Sequence, residues 1–378
     1  MQMPSTPSAF RRSPALPQGR AADGIFLLPT GMVSGEAAAA AIIGGHGWPI
    51  ADGPLAFTSA GIVWREGGTA WIAHAPYGEM VEWSEREGED MARHVGRLVR
   101  RIGAARAPWG GVGLDRPRLM GIVNVTPDSF SDGGEALAVE DAVARGLAMA
   151  AAGADIIDVG GESTRPGAAP VPVAEELARV LPVVGALADK GIAVSIDTRH
   201  AEVMGAAVAA GARIINDVGA LRGAGALEAA AASGAAICLM HMQGEPRTMQ
   251  AAPGYACAPL EVYQFLAGRV AACEAAGIGR DRIAVDPGIG FGKTATHNAQ
   301  ALATLALLHG LGCAVLLGAS RKSFVAHLSR GEGPRERLPG TLAAHLAGLD
   351  AGAQVLRVHD VAETAQAVAV WRGMRAAG

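Results

Sequence analysis

Cysteine is scarce and scattered. Cys238, Cys257, Cys273 and Cys313 form no CxxC pair and no zinc-ligand spacing, so they read as core thiols of a reducing compartment without special chemistry. Long apolar runs are missing too: stretches such as Ala37–Ile43 break at Gly and His, well short of the roughly 20 residues a bilayer demands, which excludes a transmembrane helix. The first 22 residues hold Arg, Ser and Pro without acid but lack the apolar core of a secretory signal, and are expected to be a frayed, disordered terminus. Neither sign of charge dominates. A net charge of −4 provides no global field for nucleic acid, so an anionic substrate would need a local cluster of cations. What is present is a chain of 378 residues, half of them hydrophobic and 18% charged, the composition of a globular protein.

From Leu119 onward, eight short apolar runs alternate with segments of helical period. The expected strands are Leu119–Asn124, Asp155–Val159, Ala193–Asp197, Arg213–Asn216, Ala236–Met240, Arg282–Asp286, Ala314–Gly318 and Gln354–Val358. Eight strand–helix units point to an α/β fold of the closed (β/α)₈ TIM-barrel type over residues 118–378. One helix puts Val173, Leu177, Val180, Leu181, Val184 and Leu187 on one face, with Pro182 expected to kink it. Another is expected to start on a capping box of Asp360 and Glu363. Residues 23–117 fall outside the barrel count and form a small N-terminal α/β module. Its signals are a hairpin, Ile62–Glu66 and Thr69–Ala73 around Gly67-Gly68, and a helix with Met91, Val95, Leu98 and Ile102 on one face. Pro108–Gly113 reads as a linker. The module carries no motif for chemistry, and its amphipathic helix suggests a structural or assembly role.

In a barrel, functional groups gather where strands end. Asn124, Asp158, Asp197, Asn216 and Asp286 each sit at such an end, Arg357 and His359 straddle the last, and Lys322 follows the seventh strand. Any one of these could be a local cap. Caps do not, however, require Lys, Arg and His to converge on the same rim. The loops VTPDSFSDGG and GGESTRPGA, rich in Gly, Pro and hydroxyls, suit closure over a ligand. Gly292-Lys293-Thr294 echoes a phosphate loop, but the first glycine of that motif would fall on Pro287, so it is not one. His241 has no second ligand at metal spacing and reads as structural.

The motifs LMGIVNVTPDSFSDGG, GADIIDVGGESTRPGA, SIDT, INDV, LMHMQGEPRTMQ, VDPGIGFGKT, SRKSF and RVHDV resemble, in order, those of the dihydropteroate synthase family over roughly residues 118–375. The resemblance implies condensation of 6-hydroxymethyl-7,8-dihydropterin diphosphate with p-aminobenzoate, giving 7,8-dihydropteroate and diphosphate, in folate biosynthesis. It implies that Asp197, Asn216, Asp286 and Lys322 hold the pterin. Asn124, Thr164, Arg357 and His359 would hold the diphosphate, with Mg²⁺ bridging diphosphate oxygens and taking Asn124 as its protein ligand. Phe130 and Ser323 would shape the p-aminobenzoate site, where sulfonamides compete. Arg357, His359, Lys322 and Asn124 would carry catalysis, by a dissociative route in which diphosphate leaves before the amine attacks. A cytoplasmic homodimer working on small molecules, without nucleic acid or membrane, is the expected context. Two other readings stand beside it: a methyltetrahydrofolate–corrinoid methyltransferase-like barrel, which shares the Asp, Asn and Asp positions but needs no diphosphate site, and a non-catalytic pterin-binding relative.

Overall fold

The computed structural model describes residues 8–125, 134–162, 171–245 and 248–377, residues 134–138 by their backbone alone. The N-terminal module contains β1 (Arg11–Arg12), β2 (Phe26–Ser34), α1 (Gly35–Ile43), β3 (Trp48–Pro49), β4 (Leu55–Glu66), β5 (Thr69–Pro76), α2 (Tyr77–Arg86) and α3 (Glu89–Gly103). Its sheet runs β1-β5-β4-β2, with β3 also on β4. Gly67 and Gly68 both take positive φ, +53° and +79°, the turn that matches the twist of a two-residue hairpin. Both hairpin strands are longer than the sequence suggested, because the sheet is covered on both faces. Leu27, Ile62, Trp64 and Ala73 pack with the apolar face of α3, whereas Leu28, Val63 and Ile72, one residue out of phase, join the core around the barrel.

Residues 8–22 lie along the module rather than fraying. Arg11 and Arg12 pair in parallel with Trp71 and Ile72, Phe10 is buried, and the Trp83 indole N–H donates to the Pro17 carbonyl at 2.8 Å. Burying Phe10 and pairing the backbone offset the entropy of ordering this segment. Residues 1–7 lie outside the described residues.

The barrel strands are β6 (Arg118–Asn124), β7 (Ile156–Gly160), β8 (Val194–Asp197), β9 (Ile214–Asp217), β10 (Ala236–Met240), β11 (Ile283–Asp286), β12 (Ala314–Leu317) and β13 (Val355–Val358). All pair in parallel, and β13 on β6 closes the ring. Around them run α4 (Gly134–Ala151), α5 (Val173–Asp189), α6 (Ala201–Ala209), α7 (Ala226–Ser233), α8 (Ala258–Ala275), α9 (Ala295–Ala303), α10 (Ser323–Leu328), α11 (Leu338–Asp350) and α12 (Val361–Ala377). Helix α5 continues through Pro182 without a break. The carboxylate of Asp360 does not cap α12: it is bound by the Arg321 guanidinium, and Thr364 takes the Asp360 carbonyl through both its N–H and its hydroxyl.

The stretch expected to be a linker does more than connect. Trp109 is fully buried, packs with Met120, Ile156, Ile214 and Val355 inside the barrel, and donates its indole N–H to the Ile237 carbonyl at 3.3 Å. It plugs the end of the barrel at which the strands begin. The module docks on the outer wall, where the Phe26 ring meets Tyr263 of α8 edge to face at 5.2 Å and Arg65 pairs with Glu261 at 3.3 Å.

Candidate active site

Short strands end in polar residues here because the apolar alternation that fills the barrel stops at its mouth, and the next inward-facing positions are free to carry chemistry. Asp158 of β7 is fully buried, and its Oδ2 accepts from Arg357 Nε at 2.6 Å and from Asn216 Nδ2 at 3.0 Å. Arg357, from β13, spans to the next strand as well and donates through Nη2 to Asp197 Oδ2 at 2.6 Å. One guanidinium therefore ties β13 to β7 and β8 across the mouth. Burial works against its charge, but Asp158 and Asp197 outweigh burial and raise its pKa. Asp197 is the counterpart: burial pushes its carboxyl up to about 7, with Arg357 opposing and Asp158 adding to the rise.

Asp286 ends β11 and is buried, its Oδ1 accepting the Gly288 N–H at 2.6 Å. Burial raises its pKa against that hydrogen bond and against the charge of Lys322. Lys322 precedes α10 and sets its ammonium 4.1 Å from the centroid of the Phe291 ring. Phe291 belongs to a small apolar cluster with Val218, Met240, Met242 and Met249, a wall beside the carboxylate. Gly288 takes φ +67°, and a Cβ there would lie 1.9 Å from the His241 carbonyl oxygen. Two loops thus touch backbone to backbone at a position only glycine fits.

His359 follows β13, with Nδ1 2.9 Å from the hydroxyl of buried Ser320, which also accepts the His359 backbone N–H at 3.2 Å. Burial, then Arg357 and Arg321, lower its pKa to about 3, so the ring is neutral at physiological pH. Asn124 ends β6 half-buried, and Ser323 opens α10. Among the described residues no three His, Cys, Asp or Glu side chains converge on a metal-sized point. An oxygen-seeking cation at this mouth would meet an amide such as that of Asn124 and would draw its remaining ligands from substrate and water.

The profile of the pterin binding enzyme family matches residues 120–359, starting inside β6 and leaving the module outside. Dihydropteroate synthase of Escherichia coli is 51% identical over 258 residues, covering 68% of this chain and 91% of that protein. The chain belongs to the dihydropteroate synthase family. A solved Xanthomonas albilineans dihydropteroate synthase with 4-aminobenzoic acid is 52% identical with a TM-score of 0.68, covering 72% of this chain and 98% of that one. The same organism's enzyme in complex with 7,8-dihydropteroate is 50% identical with a TM-score of 0.64, covering 70% and 96%.

Of the residues that the dihydropteroate synthase resemblance marks, Asn124, Asp197, Asn216, Asp286, Lys322, Ser323, Arg357 and His359 share the rim where the strands end. Phe130 and Thr164 lie outside the described residues. Sequence reasoning gave no role to Asp158, Ser320 or Lys293. Asp158 was among the strand-end residues that the sequence marks, though without a specific role, whereas nothing local marks Ser320 as the partner of a residue 39 positions away.

Proposed function

We propose that this chain is a dihydropteroate synthase, joining 6-hydroxymethyl-7,8-dihydropterin diphosphate to p-aminobenzoate with release of diphosphate. The observation that carries the reading is the linked set Asn216–Asp158–Arg357–Asp197 beside the buried Asp286, a constellation of acceptors and donors on one rim. Asp286 accepts from the amino group and ring N–H of the pterin, a guanidine-like edge that matches two carboxylate oxygens. Asn216 donates and accepts along the neighbouring edge, and Lys322 donates to the oxo group and ring nitrogen. Asp197, held by the Arg357 guanidinium, completes the pterin pocket.

Arg357 retains Nη1 for the diphosphate while its other nitrogens hold Asp158 and Asp197. Ser320 holds the His359 ring at Nδ1, and in the tautomer that accepts the Ser320 proton, Nε2–H is left to donate to a phosphate oxygen. Thr164 and Asn124 complete this half. Mg²⁺, when bound with the diphosphate and Asn124, supplies neutralisation of leaving-group charge. The protein's contribution is orientation and electrostatic stabilisation of departing diphosphate, so no covalent nucleophile is required. The amine of p-aminobenzoate, seated by Phe130 and Ser323, then forms the new C–N bond at the exocyclic carbon, in place of the C–O bond to diphosphate, and gives up a proton to the departed diphosphate or to solvent.

A sulfonamide complex of the Yersinia pestis relative supports placing sulfonamides in the p-aminobenzoate site here. No helix among the described residues is long and apolar enough to cross a membrane, which suits a cytoplasmic enzyme. The homodimer expected from the resemblance is kept as part of this proposal. Diphosphate release with dihydropterin diphosphate and Mg²⁺, with and without p-aminobenzoate and then with a sulfonamide, tests the proposal. Release that requires p-aminobenzoate, yields dihydropteroate and is competed by sulfonamide is the expected result. Pterin binding without product would return the chain to a binding role.

A further inference from the structure

At the seam between the module and the barrel, far from the catalytic mouth, lies a cavity of about 400 Å³. Helix α3 contributes Arg97, Arg100 and Arg101, the following segment Arg106, and the barrel Arg280 and Asp281. Ala314, the first residue of β12, also lines it, which places the cavity at the end of the barrel opposite the site residues. Five guanidinium groups thus face a single lining carboxylate.

Arg280 is already neutralised, by Glu274 at 2.6 and 2.9 Å. The other four have no carboxylate partner among the described residues. Arg106 is the most telling. Its Nη1 donates to the Ala104 carbonyl at 2.7 Å, while its Nε and Nη2 are buried with no partner among the described residues. Burial depresses its pKa to about 10, which still leaves it charged at neutral pH. Burial also lowers the pKa of Arg101, and the neighbouring Arg280 and Arg97 charges add to the fall. Arginines in a last turn complement the helix dipole, which accounts for Arg100 and Arg101. It does not account for Arg106, which lies beyond the helix. Buried charge without a partner is strongly unfavourable, and a guanidinium cannot escape it by losing its proton.

We propose that this seam is a binding site for a small anion carrying a diphosphate group. A singly charged ion would leave most of the cluster uncompensated, whereas a diphosphate or a nucleoside di- or triphosphate matches the surplus of guanidinium groups. Guanidinium forks bind phosphate oxygens in pairs, and the volume lies in the range of small-molecule sites. Bound there, the anion bridges α3 to the first residues of the barrel strands and fastens the module to the barrel. The inference is independent of the catalytic reading.

The test uses the full chain in calorimetry and thermal melting, with inorganic diphosphate in one arm and ATP in another, each against sodium chloride at matched ionic strength. Diphosphate can also enter the catalytic mouth, so the decisive comparison is with Arg97→Ser/Arg100→Ser, two exposed positions, and separately with Arg101→Gln. Arg11→Ser/Arg12→Ser removes equal charge from an exposed strand elsewhere and serves as the control. The expected result is an affinity at least tenfold weaker in the seam variants, unchanged in the control, with kcat within twofold of the parent. Response to ATP assigns the site to nucleotides, and response to diphosphate alone assigns it to the inorganic anion. Absence of binding above the salt-matched baseline, or binding equal in parent and seam variants, overturns the proposal.

Discussion

The ammonium of Lys293 lies 2.8 Å from Nδ1 of His241, and the two side chains join the loops after β10 and β11. The same ammonium donates to the Gly288 carbonyl at 2.9 Å and to the Phe291 carbonyl at 3.1 Å, with the His241 carbonyl a longer contact at 3.4 Å, so all three of its protons are engaged. Burial pulls its pKa down to about 7, with Asp286 opposing, while burial and Lys293 hold His241 at about 2 and keep it an acceptor. Phe291 carries the Lys322 ammonium on its ring, so the clamp positions a pterin-binding residue from behind.

Lys293→Met keeps the length of the side chain and removes the donors. Charged hydrogen bonds contribute about 1.5–3 kcal/mol each, so the KM for the pterin diphosphate should rise about tenfold or more, with the KM for p-aminobenzoate less affected. His241→Asn places an amide oxygen where Nδ1 stood and should preserve most of the affinity, whereas His241→Leu should not. Equal effects on both KM values, or equal effects of the two His241 variants, would count against the clamp.

Arg357→Ala should depress turnover well over tenfold, and it should also lower the melting temperature. Removing the guanidinium leaves Asp158 and Asp197 buried without their partner, a loss of about 3–5 kcal/mol for a broken buried pair. Steady-state kinetics and melting on the same preparation check both effects. Near-normal kcat would remove Arg357 from the leaving-group site even if the protein melted early.

The eight barrel strands were legible to within a residue because parallel strands buried on both faces read as uninterrupted apolar runs. The strand-end chemistry was legible for the same reason, since a polar residue closing such a run has few places to be except the mouth. What escaped were partnerships between distant loops. Gly292-Lys293-Thr294 looked like a failed phosphate loop and His241 like an isolated histidine, and only the fold brings them 2.8 Å apart. Asp360 had the spacing of a cap, but Arg321, 39 residues earlier, supplies a stronger partner for its carboxylate. Trp109 sat among turn residues, where no local pattern distinguishes a linker from a plug.

Trp109→Ala should be costly for stability and nearly silent for catalysis. The side chain fills the strand-start end of the barrel and is 0% exposed, and truncating a buried tryptophan costs about 3–5 kcal/mol. Denaturant melting should show the loss, while kcat/KM measured well below the melting temperature should stay within a few-fold. A large loss of kcat/KM in protein that is still folded would mean that the plug shapes the mouth as well.

His345→Leu should raise stability, and more so in acid. His345 of α11 is 1% exposed, and both ring nitrogens are buried without a partner among the described residues. Burial lowers its pKa from 6.5 to about 4. Between those values the unfolded chain binds a proton that the folded chain refuses, so stability falls as pH drops below about 6.5, by about 1.4 kcal/mol per pH unit until the folded group titrates. His309 and His359, both held near 3, and His241, near 2, act in the same direction. Asp197 acts oppositely, because its carboxyl, raised to about 7, keeps a proton that the unfolded chain has lost, which favours the folded state as pH falls from 7 toward 4. Burial raises the carboxyls of Asp217 and Asp286 as well, so they act with Asp197, and the informative quantity is the difference between parent and variant rather than the parent's own profile. The leucine variant removes one of the four slopes and two unpartnered polar atoms, so its advantage over the parent should be about 2 kcal/mol larger at pH 5 than at pH 7. Denaturant unfolding at the two pH values decides it: an advantage that does not grow in acid would mean that the ring is already solvated or paired in the folded protein.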